Sequence, residues 1–393
     1  MTEFRFLTAG ESHGPALTAV IEGVPAGLGL TEEQIAADLV RRQGGYGRGK
    51  RQQIETDRAR ITSGVRHAKT IGSPIALWIE NADHENANWQ TRMGVAAVDE
   101  EVEAVTLLRP GHADLTGTQK YGFDDVRPIL ERSSARETAA RVAVGAVARV
   151  LLAEIGIEIH SHTTSIGEVT ADVPEMIDWD AVDASPVRVA DVNAEARMVA
   201  AIDGTKEDLN TLGGIFEVRA SGVPIGLGTH VQWDRRLDGQ IAQAFMSINA
   251  VKGVEIGDGF ANAARLGSEA HDEILPVDRW QPGPWDRTTN RAGGLEGGMS
   301  NGQEIVVRAA LKPISTVPQR MPTADLQTGE PATSFYERSD VCVVPAGGVI
   351  GEAMLAIVLA QRAMEKFGGD HIDEFRRNCR AFVETVGPSG ARE

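Results

Sequence analysis

Alternation of apolar and polar positions predicts strands at intervals along the chain. Residues 3–8 and 16–22 alternate in this way and flank a polar turn, Glu11-Ser12-His13, that lies between glycines. Further segments with strand character complete the pattern, at 53–64, 74–80, 157–170, 214–228 and 302–313. The pattern therefore predicts enough strands for one large sheet or two smaller ones.

Helical periodicity marks four other segments. They are residues 30–43, 134–156, 238–251 and 347–369. The first two begin with residue pairs typical of a capping box, Thr31 with Gln34 and Ser134 with Glu137, and Gly156 is a natural helix stop. The segment 134–156 is rich in alanine and valine, so we expect much of its surface to be buried.

The order of these elements bears on the fold class. Strands and helices are mixed without a regular βαβ rhythm, which favours an α+β fold over a doubly wound parallel sheet. The acidic, proline-containing stretch 172–195 is typical of a surface connection. Because no sharp break in composition and no low-complexity segment divides the chain, we predict a single domain over residues 1–393.

Composition narrows the function classes. The 393 residues are 42% hydrophobic and carry a net charge of −17, which disfavours nucleic acid and anionic membranes as partners. The two cysteines and the histidines lack metal-ligand spacing, so we predict no metal site. Because no leader pattern and no run of 18 apolar residues occurs, we expect a soluble, cytoplasmic protein.

A glycine-rich basic loop is the first candidate binding element. Residues 39–53 contain five cations and no acid: Arg41, Arg42, Arg48, Lys50 and Arg51. A solvated helix end would account for the first two, because cations suit the last turn of a helix. The interleaved glycines allow the others to converge on an anion, which favours an anion site. The loop lacks the spacing of a dinucleotide fingerprint or a P-loop.

A second cationic cluster spans residues 109–138. Its members are Arg109, His112, Arg127, Arg132 and Arg136, and Arg132-Ser133-Ser134 directly precede the predicted helix 134–156. A helix start flanked by hydroxyls and guanidinium groups suits a phosphate. An ordinary helix cap with surface ion pairs explains the same residues equally well, so the sequence leaves both interpretations open.

Two later stretches are less specific. The glycine pairs of "NRAGGLEGGMSNGQ" (290–303) suit hairpin turns, or backbone that lies flat against a planar ligand. In "RSDVCVVPAGG" (338–348), Arg338 and Asp340 suit a buried ion pair. No order of serine, histidine and acid and no HExxH motif suggests a hydrolase or protease.

Taken together, nine blocks resemble the signature blocks of the chorismate synthase family. They occur in the family's order, at "TAGESHG" (8–14), "GYGRG" (45–49), "RPGHAD" (109–114), "KYGFDD" (120–125), "ERSSARET" (131–138), "GVEIGDGF" (253–260), "NRAGGLEGGMSNGQ" (290–303), "KPIST" (312–316) and "RSDVCVVP" (338–345). The resemblance implies a β-α-β sandwich, a homotetramer, and a lyase of the shikimate pathway. That lyase converts 5-enolpyruvylshikimate 3-phosphate to chorismate with reduced FMN and no net redox change.

The resemblance also implies roles for individual residues. The catalytic positions are His13, which would face the departing phosphate, His112, which would stabilise reduced flavin, and Asp340, which would help to deprotonate flavin N5. The substrate positions are Ser12, Arg48, Arg51, Arg109, Arg136 and Arg338. The flavin positions are Arg132, Ser133, Ser134, Asn249, Ala250, Gly298, Lys312, Pro313, Ile314, Ser315, Thr316 and Arg338. Arg42 and Arg48 match positions associated with a pyridine nucleotide, NADPH, although no dinucleotide fold is visible in the sequence.

Further expectations concern the surroundings of these residues. The cationic neighbours should lower the pKa of a cavity histidine, and a bound phosphate should raise it. The glycines beside His13 would leave room for substrate, and Glu11 would form a structural hydrogen bond with its turn. Asn249 stands where many family members have glutamine, and "RSDVC" has serine and valine where others have histidine and proline.

Competing functions are a flavin oxidoreductase acting on a phosphorylated metabolite and a non-enzymatic sensor of anionic metabolites.

Overall fold

The computed structural model describes residues 3–49, 56–99, 102–276, 285–335 and 339–387. Two antiparallel sheets enclose a layer of helices, so that the described part of the chain is a β-α-β sandwich of the predicted α+β class. One continuous set of buried apolar side chains runs through both sheets and the helices between them. That the whole chain is a single domain stays a prediction.

Strands and helices alternate irregularly along the described residues. The strands are β1 (Arg5–Ala9), β2 (Ala16–Glu22), β3 (Ala59–Ser63), β4 (Val65–Arg66), β5 (Lys69–Thr70), β6 (Ile75–Glu80), β7 (Glu158–Ile166), β8 (Val169–Thr170), β9 (Gly214–Ser221), β10 (Val251–Ile256), β11 (Leu295–Glu296), β12 (Met299–Ser300), β13 (Ile305–Leu311), β14 (Pro322–Ala324) and β15 (Pro331–Thr333). The helices are α1 (Glu32–Gln43), α2 (Ala87–Met93), α3 (Asp114–Tyr121), α4 (Arg127–Ser133), α5 (Thr138–Ala153), α6 (Trp179–Ala184), α7 (Val192–Glu207), α8 (Leu237–Met246), α9 (Gly259–Asn262), α10 (Gly267–Ala270), α11 (Val344–Phe367) and α12 (Ile372–Val383).

The first sheet has the strand order β1-β2-β6-β3, with every neighbouring pair antiparallel. Leu17 and Ile21 of β2 point into the core together with Leu77 of β6. The opposite face carries Leu7 and Trp78, which are exposed. The predicted strands 3–8, 16–22 and 74–80 are thus confirmed, and their alternation reflects one buried and one open face.

The second sheet has the order β10-β13-β9-β7-β8 and packs against α11. A Cβ atom at Gly347 would lie 2.6 Å from Leu311, and one at Gly351 would lie 2.6 Å from Phe216. These two glycines, four residues apart, share one helix face and let the backbone of α11 approach the sheet closely. The close packing places the N-terminus of α11 beside the end of β13.

The helical layer consists chiefly of α1, α5 and α11. Helix α11 is long and apolar enough to cross a membrane by length and composition, yet 94% of its most apolar window is buried inside the protein, as in the core helix of a soluble protein. The predicted helices 30–43, 238–251 and 347–369 correspond to α1, α8 and α11, and the capping box of Thr31 and Gln34 is present.

Two sequence predictions are wrong in detail. Ser134 caps a short 3₁₀ turn, Ala135–Glu137, by accepting from the backbone of Arg136, so α5 begins only at Thr138 and has no capping box with Ser134. The stretch 172–195 is not a plain surface connection, because α6 and the start of α7 lie in it. Asp178 and Asp191 cap these helices with their side chains, and the acidic residues that resembled a linker include helix caps.

Candidate active site

A cavity of about 470 Å³ opens where loops from both sheets meet the N-terminus of α11. Its volume falls within the range of ligand pockets. Most of the residues that the sequence singled out line it: Ser12, His13, Arg42, Arg48, Arg109, His112, Ser133, Ser134, Arg136, Asn249, Ala250, Lys312, Ile314, Ser315, Thr316 and Asp340. The folded chain therefore brings together residues from six separate sequence blocks.

His13 lies in the turn between β1 and β2. Asn81 fixes this turn by donating hydrogen bonds from Nδ2 to the carbonyls of Glu11 (3.0 Å) and Gly14 (2.7 Å). Gly10 has a φ of +103°, and a Cβ there would come within 2.3 Å of the Ala16 carbonyl oxygen. Gly10 is thus required by the turn itself rather than as room for substrate. Glu11 takes the expected structural role through its backbone, since its carbonyl also accepts from the Gly14 amide.

A buried carboxylate that sequence reasoning missed holds His13. Nδ1 of His13 lies 2.9 Å from Oε2 and 3.1 Å from Oε1 of Glu131, and the His13 amide donates to Oε2 at 2.8 Å. The imidazole also stacks on Trp89, with ring centroids 3.7 Å apart and planes inclined by 12°. Glu131 belongs to the block "ERSSARET", but its spacing to His13 carries no signal, because 118 residues separate them.

His112 lies on the far loop of the cavity with both ring nitrogens bonded. Nδ1 faces the Pro110 carbonyl at 3.3 Å, and Nε2 faces Oγ1 of Thr316 at 3.1 Å. A carbonyl can only accept, so Nδ1 carries the proton and Nε2 accepts from Thr316. Burial and the nearby Arg109 lower the pKa of His112 to about 4. The predicted direction is confirmed, with burial as the larger cause, and the imidazole is neutral at pH 7.

One buried carboxylate, Asp57, anchors two cavity arginines. Arg42 donates to Asp57 at 3.3 Å, and Arg136 bonds to its other oxygen. Arg136 is held further by Asn81 Oδ1, and Arg42 by Thr138 Oγ1 at 3.0 Å. Asp57 is inaccessible to solvent, so both guanidinium groups are fixed before any ligand arrives.

The other two cavity arginines have carboxylate partners of their own. Arg109 makes a bidentate pair with buried Asp114, at 2.8 and 2.9 Å. Arg48 forms an ion pair with Asp340 at 2.9 Å, and the other oxygen of Asp340 accepts from the Gly49 amide at 2.5 Å. The partner expected for Asp340 was Arg338, which lies outside the described residues.

A group of polar residues suited to a flavin lines another side of the cavity. Asn249 donates from Nδ2 to the Ser133 carbonyl at 3.1 Å, while its Oδ1 is buried and has no hydrogen-bond partner in the described part of the chain. Lys312 donates to the Gly111 carbonyl at 3.1 Å, and burial together with Lys252 lowers its pKa. An orphaned acceptor beside amide, hydroxyl and ammonium groups fits a ligand with N–H donors and an anionic end.

Some predicted site residues do not reach this cavity. Arg132 turns away to donate to the carbonyls of Thr8 and Gly10, and Pro313 is not among the lining residues. Gly298 lies in the β11–β12 hairpin, where its neighbours include Arg236 and Thr229. Two further predicted residues, Arg51 and Arg338, lie outside the described residues.

The residues of the basic loop, 39–53, also differ in whether they reach the cavity. Arg41 points away from the cavity and makes a bidentate pair with Glu352, which is fully buried in α11. The helix-end explanation for Arg41 and Arg42 is therefore incomplete, since each has a buried carboxylate partner elsewhere in the fold. Lys50 of the same loop also lies outside the described residues.

Three comparisons with known proteins point to one family. The family model described as chorismate synthase matches residues 4–364. The chorismate synthases of Salinispora tropica and Thermobifida fusca are each 53% identical to the chain, over 97% of it and 99% of their own length. A crystal structure of a chorismate synthase superposes with a TM-score of 0.77 at 44% identity, and the match covers 97% of both chains.

Proposed function

The chain belongs to the chorismate synthase family, the lyases that complete the shikimate pathway toward aromatic compounds, and we propose the following chemistry for its cavity. Phosphate leaves C3 of 5-enolpyruvylshikimate 3-phosphate and a hydrogen leaves C6 on the opposite face, which gives chorismate. Reduced FMN is required, and there is no net redox change. The observation that carries the proposal is the single cavity that unites His13, His112, Asp340 and four fixed arginines.

The arginines account for substrate binding. The substrate carries one phosphate and two carboxylates, and planar guanidinium forks suit both groups. Arg48, Arg109 and Arg136 line the cavity, and the last two are held by buried acids before a ligand binds. Ser12 Oγ accepts a hydrogen bond from Ser134 at 3.2 Å, so the hydroxyl beside His13 is oriented as well.

His13 is the proposed acid toward the departing phosphate. Its imidazole lines the cavity, and Glu131 holds Nδ1 on the other side of the ring. Nε2 is therefore the nitrogen that can deliver a proton to a phosphate oxygen. A proton donated from Nε2 to the phosphate oxygen stabilises the negative charge that develops there, and this weakens the bond between C3 and oxygen.

The flavin positions are proposed from the same geometry. Ser133, Ser134, Asn249, Ala250 and the segment 312–316 would hold the cofactor, with the orphaned Oδ1 of Asn249 accepting from a ring N–H. Reduced flavin held by these residues would supply electron density to the breaking bond and would take up the C6 hydrogen. His112, neutral with Nδ1 protonated, would gain a proton when an anion binds beside it. Asp340 would then act as a base near flavin N5.

We propose that the flavin is reduced elsewhere rather than by NADPH bound to this chain. Arg42, one of the two positions associated with a pyridine nucleotide, is buried and committed to Asp57, Thr138 and the Ala135 carbonyl. The other position, Arg48, lines the cavity and is assigned above to the substrate.

Assembly and location are proposed on the family relationship. We propose a cytoplasmic homotetramer, and the exposed Leu7, Val20 and Trp78 on the outer face of the first sheet are suited to contact between subunits. Sedimentation equilibrium should give four times the chain mass of 42.0 kDa, and a monomeric mass at micromolar concentration would contradict the proposal.

One anaerobic assay tests the reaction. The substrate and FMN are supplied once with dithionite and once with NADPH alone, while chorismate absorbance and phosphate release are followed. We expect both products with dithionite and neither with NADPH alone. Absence of chorismate under dithionite would overturn the lyase. Net oxidation or reduction of the substrate would favour the flavin oxidoreductase, and turnover with NADPH alone would overturn the monofunctional proposal.

A further inference from the structure

We propose that Glu131 and Trp89 are positioning residues that present His13 to the cavity as a protonated imidazole, with Nε2 as the proton-bearing atom that faces the leaving phosphate. The inference rests on the proposed function, because it concerns the acid of that reaction. Sequence pattern singles out neither residue, and neither lines the cavity itself.

The hydrogen bonds to Glu131 occupy Nδ1 of His13 and not Nε2. The side chain of Glu131 is inaccessible to solvent, and it is bonded to both the ring and the backbone amide of His13. The Glu131 carbonyl also accepts from the Ser12 amide at 3.1 Å. Consecutive residues of the β1–β2 turn are thus fastened to one residue of α4, so the ring can neither flip nor withdraw without breaking several buried bonds.

Two carboxylates lie close to the ring of His13. Burial would raise the pKa of Glu131, but hydrogen bonds and attraction from His13 and Arg127 hold it below its usual value. Glu131 is therefore ionised and accepts from Nδ1–H. A second carboxylate, Asp83, has Oδ2 at 3.8 Å from Nε2.

Other charged groups also face this site. His84 donates from Nδ1 to the His13 carbonyl at 2.9 Å, and Arg127 shares Glu131 at 3.2 Å. The cavity is also lined by four arginines, Arg42, Arg48, Arg109 and Arg136, whose charges oppose a positive ring. Three of these arginines are bonded directly to Asp57 or Asp114, and the fourth to Asp340. Glu131 and Asp83 are the two carboxylates paired with the imidazole itself.

Trp89 contributes an aromatic face. Its ring lies parallel to the imidazole at 3.7 Å, and the guanidinium groups of Arg127 and Arg92 lie 5.4 and 5.8 Å from its centroid. The negative face of an indole attracts cations, so the stack stabilises an imidazolium more than a neutral ring. The flat contact also fixes the ring plane, which directs Nε2.

The proton balance of the step is simple. As the bond between C3 and oxygen breaks, its electron pair stays on the phosphate oxygen, and the proton on Nε2 moves to that oxygen. His13 is left neutral, with Nδ1–H still bonded to Glu131. The ring regains a proton from solvent after phosphate departs. In the net reaction the electron pair of the C6–H bond enters the new double bond and the C6 hydrogen leaves as a proton, so there is no net redox change.

The pH dependence of kcat and kcat/KM tests the role of Glu131. The Glu131→Gln variant keeps an acceptor oxygen for Nδ1–H but loses the charge, so we expect the alkaline limb to move down by about one pH unit or more. At pH 8 we expect a loss of roughly 10- to 100-fold in kcat with little change in KM. The matched control is Glu137→Gln, a carboxylate six residues along the chain that pairs with Arg141 instead, and its profile should match that of the wild type.

The Trp89 stack provides a readout that needs no substrate. An imidazolium in contact with an indole quenches its fluorescence by accepting an excited-state electron, whereas a neutral imidazole does so poorly. The Trp89 emission, obtained as the difference from Trp89→Phe, should rise with pH at a midpoint that Glu131→Gln moves downward. Because this titration uses the protein alone, it remains informative even if the proposed reaction fails in the anaerobic assay.

Variants of Trp89 and His13 test the same roles if Glu131→Gln fails to fold. Trp89→Leu removes the stack, whereas Trp89→Phe keeps an aromatic face, so we expect a three- to tenfold larger loss of kcat for Trp89→Leu. His13→Ala should lose roughly 10- to 1000-fold, and adding Glu131→Gln should cost little more, because both act through one ring. Fully additive losses, or unchanged pH profiles and emission midpoints in folded Glu131→Gln, would overturn the inference.

Discussion

At the scale of single residues, the cavity depends on buried acids that stand behind its cations. Asp57 holds Arg42 and Arg136, and Asp114 holds Arg109, while the acids themselves have no exposed side-chain surface. An arginine held in this way loses little conformational freedom when a ligand binds. The acids thus contribute to ligand binding without touching the ligand.

The lowered pKa of His112 predicts how stability depends on pH. The folded imidazole has a pKa of about 4, below the ordinary value of 6.5. The neutral form is therefore favoured by folding, and its contribution is complete above pH 6.5 and is lost as the pH falls from 6.5 toward 4. Between pH 7.5 and pH 5, we expect the wild type to lose on the order of 1–2 kcal/mol more of its unfolding free energy than His112→Gln does.

Urea denaturation of both proteins at the two pH values measures this difference. His230→Gln serves as the control, since that side chain is exposed. We expect this variant to lose as much unfolding free energy on acidification as the wild type does. If the wild type and His112→Gln lost equal amounts of unfolding free energy between pH 7.5 and pH 5, the surroundings of the imidazole would not be holding it in the neutral form.

At the scale of elements, the close contact between α5 and α11 requires a glycine. Gly145 lies in the middle of α5, and a Cβ there would come within 2.3 Å of the Ala353 Cβ and 2.5 Å of its Cα, both in α11. Gly204 in α7 is exposed and has open space where a Cβ would stand. The same substitution at these two helical glycines should therefore have opposite effects.

We expect Gly204→Ala to stabilise the protein by about 0.5–1 kcal/mol, because alanine restricts the unfolded chain and suits a helix. Gly145→Ala should destabilise it by about 1–3 kcal/mol, because α5 and α11 must separate to admit the methyl group. Thermal and urea unfolding of the two variants measure both effects. A stabilising Gly145→Ala would mean that the two helices are less tightly packed than the structure shows.

At the scale of the whole molecule, sequence pattern predicted the layers better than the site. Strands with one open face and helices with a clear apolar face have a regular hydrophobic periodicity, so the sequence predicts them, as it does β2 and α1. Helix α7 was missed because its polar residues outnumber its few buried ones, Ala194, Met198 and Ile202. Glu131 and Asp57 could not be found from spacing, since burial and a partner far along the chain define their roles.

The distribution of charge over the whole molecule gives the last prediction. The chain carries a net charge of −17, yet its cavity gathers four arginines and Lys312. A ligand with one phosphate and two carboxylates bound there neutralises cations that otherwise repel one another. With 5-enolpyruvylshikimate 3-phosphate at about 100 times its Kd, linkage stabilises the folded state by about 2.7 kcal/mol. For a chain of this length, we expect the Tm to rise by roughly 3–5 °C.

Two comparisons locate the effect in the cavity. Shikimate, which has one carboxylate and no phosphate, should give a much smaller shift at equal concentration, because fewer cations are engaged. Arg109→Gln should lose most of the shift, since it removes a guanidinium that Asp114 holds at the cavity wall, whereas Arg197→Gln on the exposed side of α7 should keep it. Equal shifts with shikimate, or an undiminished shift in Arg109→Gln, would mean that the anion binds elsewhere on the molecule. The difference between the two arginine variants separates binding in the cavity from general attraction of the ligand by surface cations, which both substitutions reduce equally.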